Sequence, residues 1–144
     1  MPSSNDAAAA VEVTSAMRVR AEQARRNKAL IAEYYDLALN KRDFAAARAY
    51  MGPYYRQHST YGADGPEGLA QFVEWAEKEL PGFHVDFVRM IADGDYVLMH
   101  NRGNNSPGTK AVVDIFRIEN GKVVEHWDVL QDVPATSKNS NSMF

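Results

Sequence analysis

Hydrophobic and polar residues repeat along this chain first with helical spacing and then with strand spacing. Apolar residues recur three or four positions apart at Leu30, Ile31, Tyr34, Tyr35 and Ala38. Residues 14–40 contain no glycine or proline, so the pattern predicts a long first helix. A second helix is predicted over residues 43–51, with Asp43 as its N-cap.

A third helix is predicted to begin at Asp64-Gly65-Pro66-Glu67, with the acidic residue as its cap. One apolar stripe follows at Leu69, Phe72, Val73, Ala76 and Leu80. Pro81-Gly82 ends this helix. Each of the three helices therefore has a predicted start or an apolar face for packing.

The rest of the chain has strand character. Residues 83–92, 96–102 and 110–131 predict four strands, the last two joined by a tight turn at Asn120-Gly121. Residues 54–61 are interpreted as a strand fragment or an extended loop. Three helices followed by a four-stranded antiparallel meander predict an α+β fold, with the helices packed on one face of a curved sheet.

Composition bounds the class of protein. With 45% hydrophobic and 24% charged residues, the 144-residue chain is predicted to form one domain over residues 14–134. A disordered leader over residues 1–13 and a flexible tail over 135–144 complete the expected organisation. The absence of cysteine excludes disulfides and thiolate metal sites. No apolar stretch is long enough to span a membrane, and no secretory signal is visible. No run of basic residues indicates nucleic-acid binding. A cytoplasmic protein is therefore expected.

Asp114 is the most informative polar residue. It stands in the segment Val-Val-Asp-Ile-Phe, where a purely structural strand would carry another aliphatic side chain. Its carboxylate therefore lies either on an exposed face of the sheet or in an apolar pocket, and the residues leave both open. A pocket disfavours the charged carboxylate, which suits a general acid or base near neutral pH.

The register of the last hairpin has two alternatives. A two-residue Asn120-Gly121 turn places Asp114 opposite Trp127, with His126 and Asp128 on the other face. A three-residue loop that includes Glu119 places Asp114 opposite His126 instead. A slip of one residue moves every side chain to the opposite face, so the choice decides which groups meet.

Other chemistries have weaker signals. The segment Glu125-His126-Trp127-Asp128 has no spacing of a known zinc motif, so neither a metal nor another cofactor is expected. Most aromatic side chains are expected in the core, yet together they could line a concave pocket for a flat organic molecule. These aromatic residues are Tyr54, Tyr55, Tyr61, Phe72, Trp75, Phe83, Phe87, Phe116 and Trp127.

The segment 114–128 closely resembles the closing hairpin of SnoaL-like polyketide cyclases, which belong to the NTF2-like superfamily of cone-shaped α+β domains. The resemblance extends over residues 27–134. Its supporting stretches are Tyr55-Arg56-Gln57-His58, Asp64-Gly65, Gly94-Asp95 followed by His100, and Gln131.

The resemblance implies a cofactor-free intramolecular aldol ring closure in which a strand carboxylate acts as acid and base. That carboxylate would be Asp114, with His58, His100 and His126 beside it in the pocket. The residues expected to bind the substrate are Tyr55, Phe72, Trp75, Phe116, Trp127 and Asp128. The resemblance also implies a homodimer that forms through the exposed face of the sheet.

Three functions follow as hypotheses. The first is a lyase or isomerase of the aldol type acting on a small, apolar or aromatic carbonyl compound. The alternative is a non-catalytic small-molecule-binding or dimerisation domain of the same superfamily. A ketosteroid-isomerase-like proton shuttle is a third possibility, which differs from the first in forming no carbon–carbon bond. An enzyme should need Asp114 for turnover, whereas a binding module should depend on its aromatic side chains.

Overall fold

A computed structural model describes residues 4–105 and 108–144 of the chain. The helices are α1 (Ser4–Tyr35), a π-helical turn that continues it (Asp36–Asn40), α2 (Phe44–Arg48) and α3 (Glu67–Glu79). The strands are β1 (Met51–Gln57), β2 (His84–Asp93), β3 (Tyr96–Asn105), β4 (Gly108–Glu119) and β5 (Lys122–Asp132).

The five strands form one curved sheet in the order β1-β5-β4-β3-β2. All neighbouring strands are antiparallel except β1, which runs parallel to β5. The helices pack on one face of this sheet around a core that includes Tyr34, Phe116 and Met99. The predicted α+β arrangement is therefore confirmed, but within residues 4–105 and 108–144 the sheet has five strands instead of the predicted four, because residues 51–57 join it.

The first helix begins earlier than the sequence predicted. Residues 4–13, expected to belong to a disordered leader, are helical, and residues 1–3 lie outside the described part of the chain. The run Ala7–Ala10 explains this correction, because alanine has the highest intrinsic helix propensity. The side chains of residues 5–13 are exposed. Among the described residues, no helix is long and apolar enough to cross a bilayer.

The sequence predicted an N-cap for each of the helices α2 and α3, and one of the two predictions is correct. Asp43 caps α2 as predicted, and its carboxylate accepts a hydrogen bond from the Ala46 amide at 3.0 Å. The prediction that Asp64 caps α3 is wrong, since Pro66 occupies the N-cap position. The Asp64 carboxylate instead accepts a hydrogen bond from the backbone amide of Gln57 at 2.9 Å. That bond ties the loop before α3 to the end of β1.

The β4–β5 hairpin has a register that neither sequence alternative contained. Asn120 and Gly121 have φ values of 51° and 71°, as a two-residue turn of type I′ requires, and Glu119 pairs with Lys122. Beyond the turn, Ile118 pairs with Val123 but Arg117 pairs with Glu125. Val124 is therefore an extra, bulged residue of β5.

This bulge decides which side chains share a face. It places Asp114 opposite Asp128, and His126 opposite Phe116. His126 and Asp128 consequently lie on the same face of the sheet as Asp114, which the two-residue turn without a bulge would not allow. Gly52 of β1 accommodates the bulge, because a Cβ atom at that position would lie 2.6 Å from Cγ1 of Val124.

Candidate functional site

A cavity of about 550 Å³ lies between the inner face of the sheet and the helices. Its apolar wall includes Leu69, Phe72 and Trp75 of α3 together with Val112 and Leu130 of the sheet. Its polar side chains include a cluster of Asp114, His126 and Asp128, and further ones such as Lys110 and Asp132. A mostly apolar cavity of this size with a small convergent polar group is typical of a small-molecule site.

Asp114 lies at the centre of that polar group. Its side chain is about 1% exposed on the central strand β4. Oδ1 accepts a hydrogen bond from the Tyr35 hydroxyl at 2.8 Å and lies 3.0 Å from Nε2 of His126. Oδ2 accepts a hydrogen bond from Nδ2 of Asn101 at 2.7 Å. A buried carboxylate normally requires such partners, since an unpaired buried charge is costly.

The hydrogen-bond partners of His126 indicate which of its ring nitrogens carries a hydrogen. Its Nδ1 lies 2.8 Å from Oε1 of Gln57, and the same oxygen accepts a bond from the Ser59 amide. Oε1 is therefore an acceptor, so Nδ1 carries a hydrogen. One further proton must then lie between Nε2 and Asp114, on either the ring or the carboxyl group. The other donors to the Asp114 carboxylate are the Tyr35 hydroxyl group and the Asn101 amide.

The hydroxyl groups of the buried Tyr35 and Tyr55 stay protonated and can donate hydrogen bonds. Burial, followed by the negative charge of Asp114, raises the pKa of Tyr35 well above its ordinary value. Burial also raises the pKa of Tyr55, which lines the cavity and accepts a hydrogen bond from Tyr34 at 3.2 Å. Both hydroxyl groups therefore keep their protons throughout the physiological pH range.

Asp128 differs from Asp114 in being half-buried. Burial raises its pKa, while a 2.7 Å hydrogen bond from the Ser59 hydroxyl and the nearby His126 act in the opposite direction. Ligand atoms of Asp114, His126 and Asp128 all lie within 4.8 Å of one another. One imidazole and two carboxylates are also a donor set that a divalent cation could use. The absence of a metal therefore stays a prediction.

The structure brings six of the ten predicted site residues to the cavity. Its lining includes Asp114, His126, Asp128, Tyr55, Phe72 and Trp75. His58 and His100, expected beside Asp114, lie instead towards the outer face of the sheet. His58 stacks on Trp127 and bonds Glu125 at 2.9 Å, while His100 contacts Arg89 and the ring of Phe144. Side-chain alternation explains this correction, because each follows a residue that faces inward.

Phe116 and Trp127 were also expected to contact the substrate, and neither lines the cavity. Phe116 is fully buried in the core, where its ring lies 4.8 Å from that of His126. Trp127 lies on the outer face because the bulge turns its neighbours His126 and Asp128 inward. Phe116 supports the imidazole from behind instead of forming the wall.

The sequence interpretation missed three residues that hold the polar group, namely Tyr35, Gln57 and Asn101. Tyr35 was assigned to the core, and Gln57 was assigned no role while its neighbour His58 was. Asn101 carried a usable signal, because it continues the inward alternation of Val97 and Met99 with a polar side chain. A buried amide at such a position predicts a polar partner across the sheet.

Comparison with known proteins identifies the family and the fold. Residues 31–126 match the family model described as a SnoaL-like domain, and no curated protein sequence matches the chain significantly. The structure resembles an NTF2-like protein of unknown function from Cytophaga hutchinsonii, with 19% identity, a TM-score of 0.60 and coverage of 73% of this chain and 89% of that one.

Two further solved structures are similar. One is a Kribbella flavida protein suggested to be a ketosteroid isomerase, with 18% identity, a TM-score of 0.66 and coverage of 81% of this chain and 85% of that one. The other is IdmH from Streptomyces antibioticus, suggested to be a polyketide cyclase, with 16% identity, a TM-score of 0.64 and coverage of 72% and 91%. These likenesses confirm the predicted NTF2-like fold.

Proposed function

Because this chain belongs to the SnoaL-like domain family, we propose that it is a cofactor-independent enzyme that performs acid/base chemistry on a small carbonyl compound. The observation that carries the proposal is the Asp114–His126 pair, whose Oδ1 and Nε2 atoms lie 3.0 Å apart at the wall of a largely apolar cavity. A positioned group that gives and takes a proton is the minimum requirement for such catalysis.

The reaction we propose is an intramolecular aldol cyclisation or a related isomerisation. A carboxylate of the site takes a proton from a carbon next to a carbonyl group, and the resulting enolate attacks a second carbonyl of the same molecule or is reprotonated elsewhere. The Asp114–His126 pair supplies the proton that the new alkoxide or enolate oxygen needs. This chemistry needs no cofactor when the carbon is already acidic.

The cavity supports an apolar or aromatic carbonyl compound as the ligand. Its volume lies within the usual range for small-molecule sites, and Phe72 and Trp75 of α3 offer aromatic surface. Asp114, His126 and Asp128 form one polar cluster on this wall. A flat apolar ligand would therefore bind with its carbonyl group towards the carboxylate.

A proton-exchange experiment tests the proposal without knowledge of the natural substrate. The probe is 2-tetralone in D₂O, and proton NMR follows the loss of its activated methylene signal. The wild-type protein should accelerate exchange beyond buffer, and Asp114→Asn should lower this acceleration by about 100-fold or more. Asp86→Asn, which changes an exposed carboxylate that bonds Asn104, is the matched control. Exchange no faster than in buffer would contradict an acid/base enzyme.

The same experiment addresses the alternative of a non-catalytic binding domain. The aromatic surface that Phe72 and Trp75 present to the cavity favours this second candidate. A binding domain should quench Trp75 fluorescence with 2-tetralone, lose affinity in Phe72→Ala and show no accelerated exchange. Binding that survives Asp114→Asn while exchange is lost supports the enzyme instead.

We also propose a cytoplasmic homodimer that forms through the outer face of the sheet. Large apolar side chains are exposed on that face at Ile91, Tyr96 and Val129. Exposed apolar surface of this kind commonly marks an interaction site. Sedimentation should show a dimer that Val129→Glu weakens, and a monomeric wild-type protein at low concentration would defeat the proposal.

A further inference from the structure

We propose that Asp128 is the base that removes the carbon-bound proton, while the Asp114–His126 pair serves the substrate oxygen. This inference rests on the proposed function and divides its chemistry between two carboxylates. It assigns Asp128, expected only to contact the substrate, a catalytic role.

Asp114 and Asp128 differ in how accessible their carboxylate groups are to a ligand. Asp114 is about 1% exposed, and its oxygens already interact with Tyr35, Asn101 and His126. Asp128 is half-buried and lines the cavity. Its Oδ2 is held by Ser59, whereas Oδ1 has no hydrogen-bond donor within residues 4–105 and 108–144. Asp128 is thus the carboxylate with an oxygen available to a ligand.

The placement of two carboxylates side by side is unfavourable for the stability of the sheet. Asp114 and Asp128 are direct partners across β4 and β5, and side chains so placed lie close together on one face. Like charges at such positions destabilise a sheet, and the cavity is largely apolar. His126, within 4.8 Å of both, offsets part of this repulsion. Two close carboxylates with different surroundings are the usual arrangement for separate acid and base roles.

Protons and electrons balance in the proposed sequence. Oδ1 of Asp128 takes the proton, the C–H bond breaks, and its electron pair enters the enolate. In an isomerisation, Asp128 returns the same proton to another carbon. In an aldol closure, the new alkoxide takes the proton of the Asp114–His126 pair, and Asp128 then returns its proton to that pair. No co-reactant is needed.

Ser59 acts as a positioning residue for this base. Its hydroxyl group donates to Oδ2 of Asp128 at 2.7 Å, which orients the carboxylate and stabilises its charged form. Ser59→Ala should therefore raise the pKa of Asp128, and the acidic limb of the pH–rate profile should move to higher pH. The titratable groups that face Asp128 are Asp114 of β4, His126 of β5, Tyr35 of α1 and Tyr55 of β1.

The test uses 5-nitrobenzisoxazole, a flat probe that reacts with a base alone. Removal of its C3 proton breaks the N–O bond and gives a coloured cyanophenolate, so absorbance follows the rate. Asp128→Asn should lower kcat/KM by about 100-fold, as expected for loss of a general base. Asp114→Asn should remain within about tenfold of the wild type, because this reaction needs no proton on oxygen. Asp86→Asn is again the control.

The outcomes separate this inference from the proposed function. If Asp114→Asn loses the reaction and Asp128→Asn keeps it, Asp114 is the base and the inference fails while the proposed function stands. If the wild-type protein accelerates neither this reaction nor ketone exchange, both fail. Should Asp128→Asn not fold, as judged by circular dichroism, Ser59→Ala decides. An acidic limb that does not move in Ser59→Ala overturns the role of Asp128.

Discussion

Tyr35→Phe should reveal whether Asp114 carries a negative charge in the folded protein. The variant keeps a buried aromatic ring but removes the hydroxyl group that donates to Asp114 at 2.8 Å. The neighbouring Tyr34→Phe is a matched control, because Tyr34 is also buried and its hydroxyl group donates to the neutral Tyr55 at 3.2 Å.

The difference between the two variants follows from the charge of the acceptor. A hydrogen bond to a charged group contributes about 1.5 to 3 kcal/mol, whereas a neutral one contributes about 0.5 to 1.5 kcal/mol. Tyr35→Phe should therefore lower the free energy of unfolding by about 1 kcal/mol more than Tyr34→Phe. For a chain of this size, this corresponds to about 2–4 °C in the melting temperature.

Thermal and urea unfolding at pH 7 measure both variants under the same conditions. Equal losses of stability would refute the reasoning, because they would mean that the proton shared with His126 lies on Asp114. A larger loss in Tyr35→Phe supports a carboxylate beside an imidazolium. Nuclear magnetic resonance of the His126 ring nitrogens provides a second readout that does not depend on stability.

Three further predictions concern stability. Burial raises the pKa of Asp128 above its ordinary value of 3.8. The free energy of unfolding should therefore fall as pH rises from 3.8 through the raised pKa of the folded protein. Asp128→Asn should remove this fall and be more stable than the wild type at pH 7, as measured by urea titration. Gly52→Ala places a Cβ atom 2.6 Å from Val124, and calorimetry should show a loss of about 1–3 kcal/mol. Burial raises the pKa of Glu125, but hydrogen bonds from His58 and Arg117 outweigh it and hold the pKa below the ordinary value of 4.5. The charged Glu125 should therefore stabilise the folded protein above that value, and this contribution should be lost as pH falls through the lowered pKa. Acid unfolding of Glu125→Gln should lack this pH-dependent contribution.

Local signals in the sequence predicted much of the fold. The Asn120-Gly121 turn, the Asp43 cap and the apolar stripe of α3 each depend on neighbours in the chain, and each is present. Residues 54–61 were interpreted as a strand fragment or an extended loop, but the parallel pairing of β1 with β5 was not predicted, because it joins segments far apart in sequence. Alanine-rich residues before 14 were assigned to a leader on composition, although their helix propensity was high.

The candidate site was harder to predict, for one physical reason. Asp114 was identified because a carboxylate among aliphatic residues requires an explanation. Its partners depended on the register of β5, and that register depends on a bulge which fits against Gly52 of another strand. His58, His100 and His126 were all assigned to the pocket because they are histidines. The alternation of side chains along the strands places His126 on the inner face of the sheet and the other two towards the outer face.

The two edges of the open sheet limit how copies of this protein can associate. β1 forms one edge, and Pro53 within it lacks an amide hydrogen for a further strand. β2 forms the other edge, where Asp86 and Arg89 introduce charge. Both features disfavour growth of the sheet by strand addition and protect the chain from fibrous aggregation. Association through the outer face of the sheet would leave the cavity on the inner face of each copy uncovered, so one copy would not block the cavity of the other.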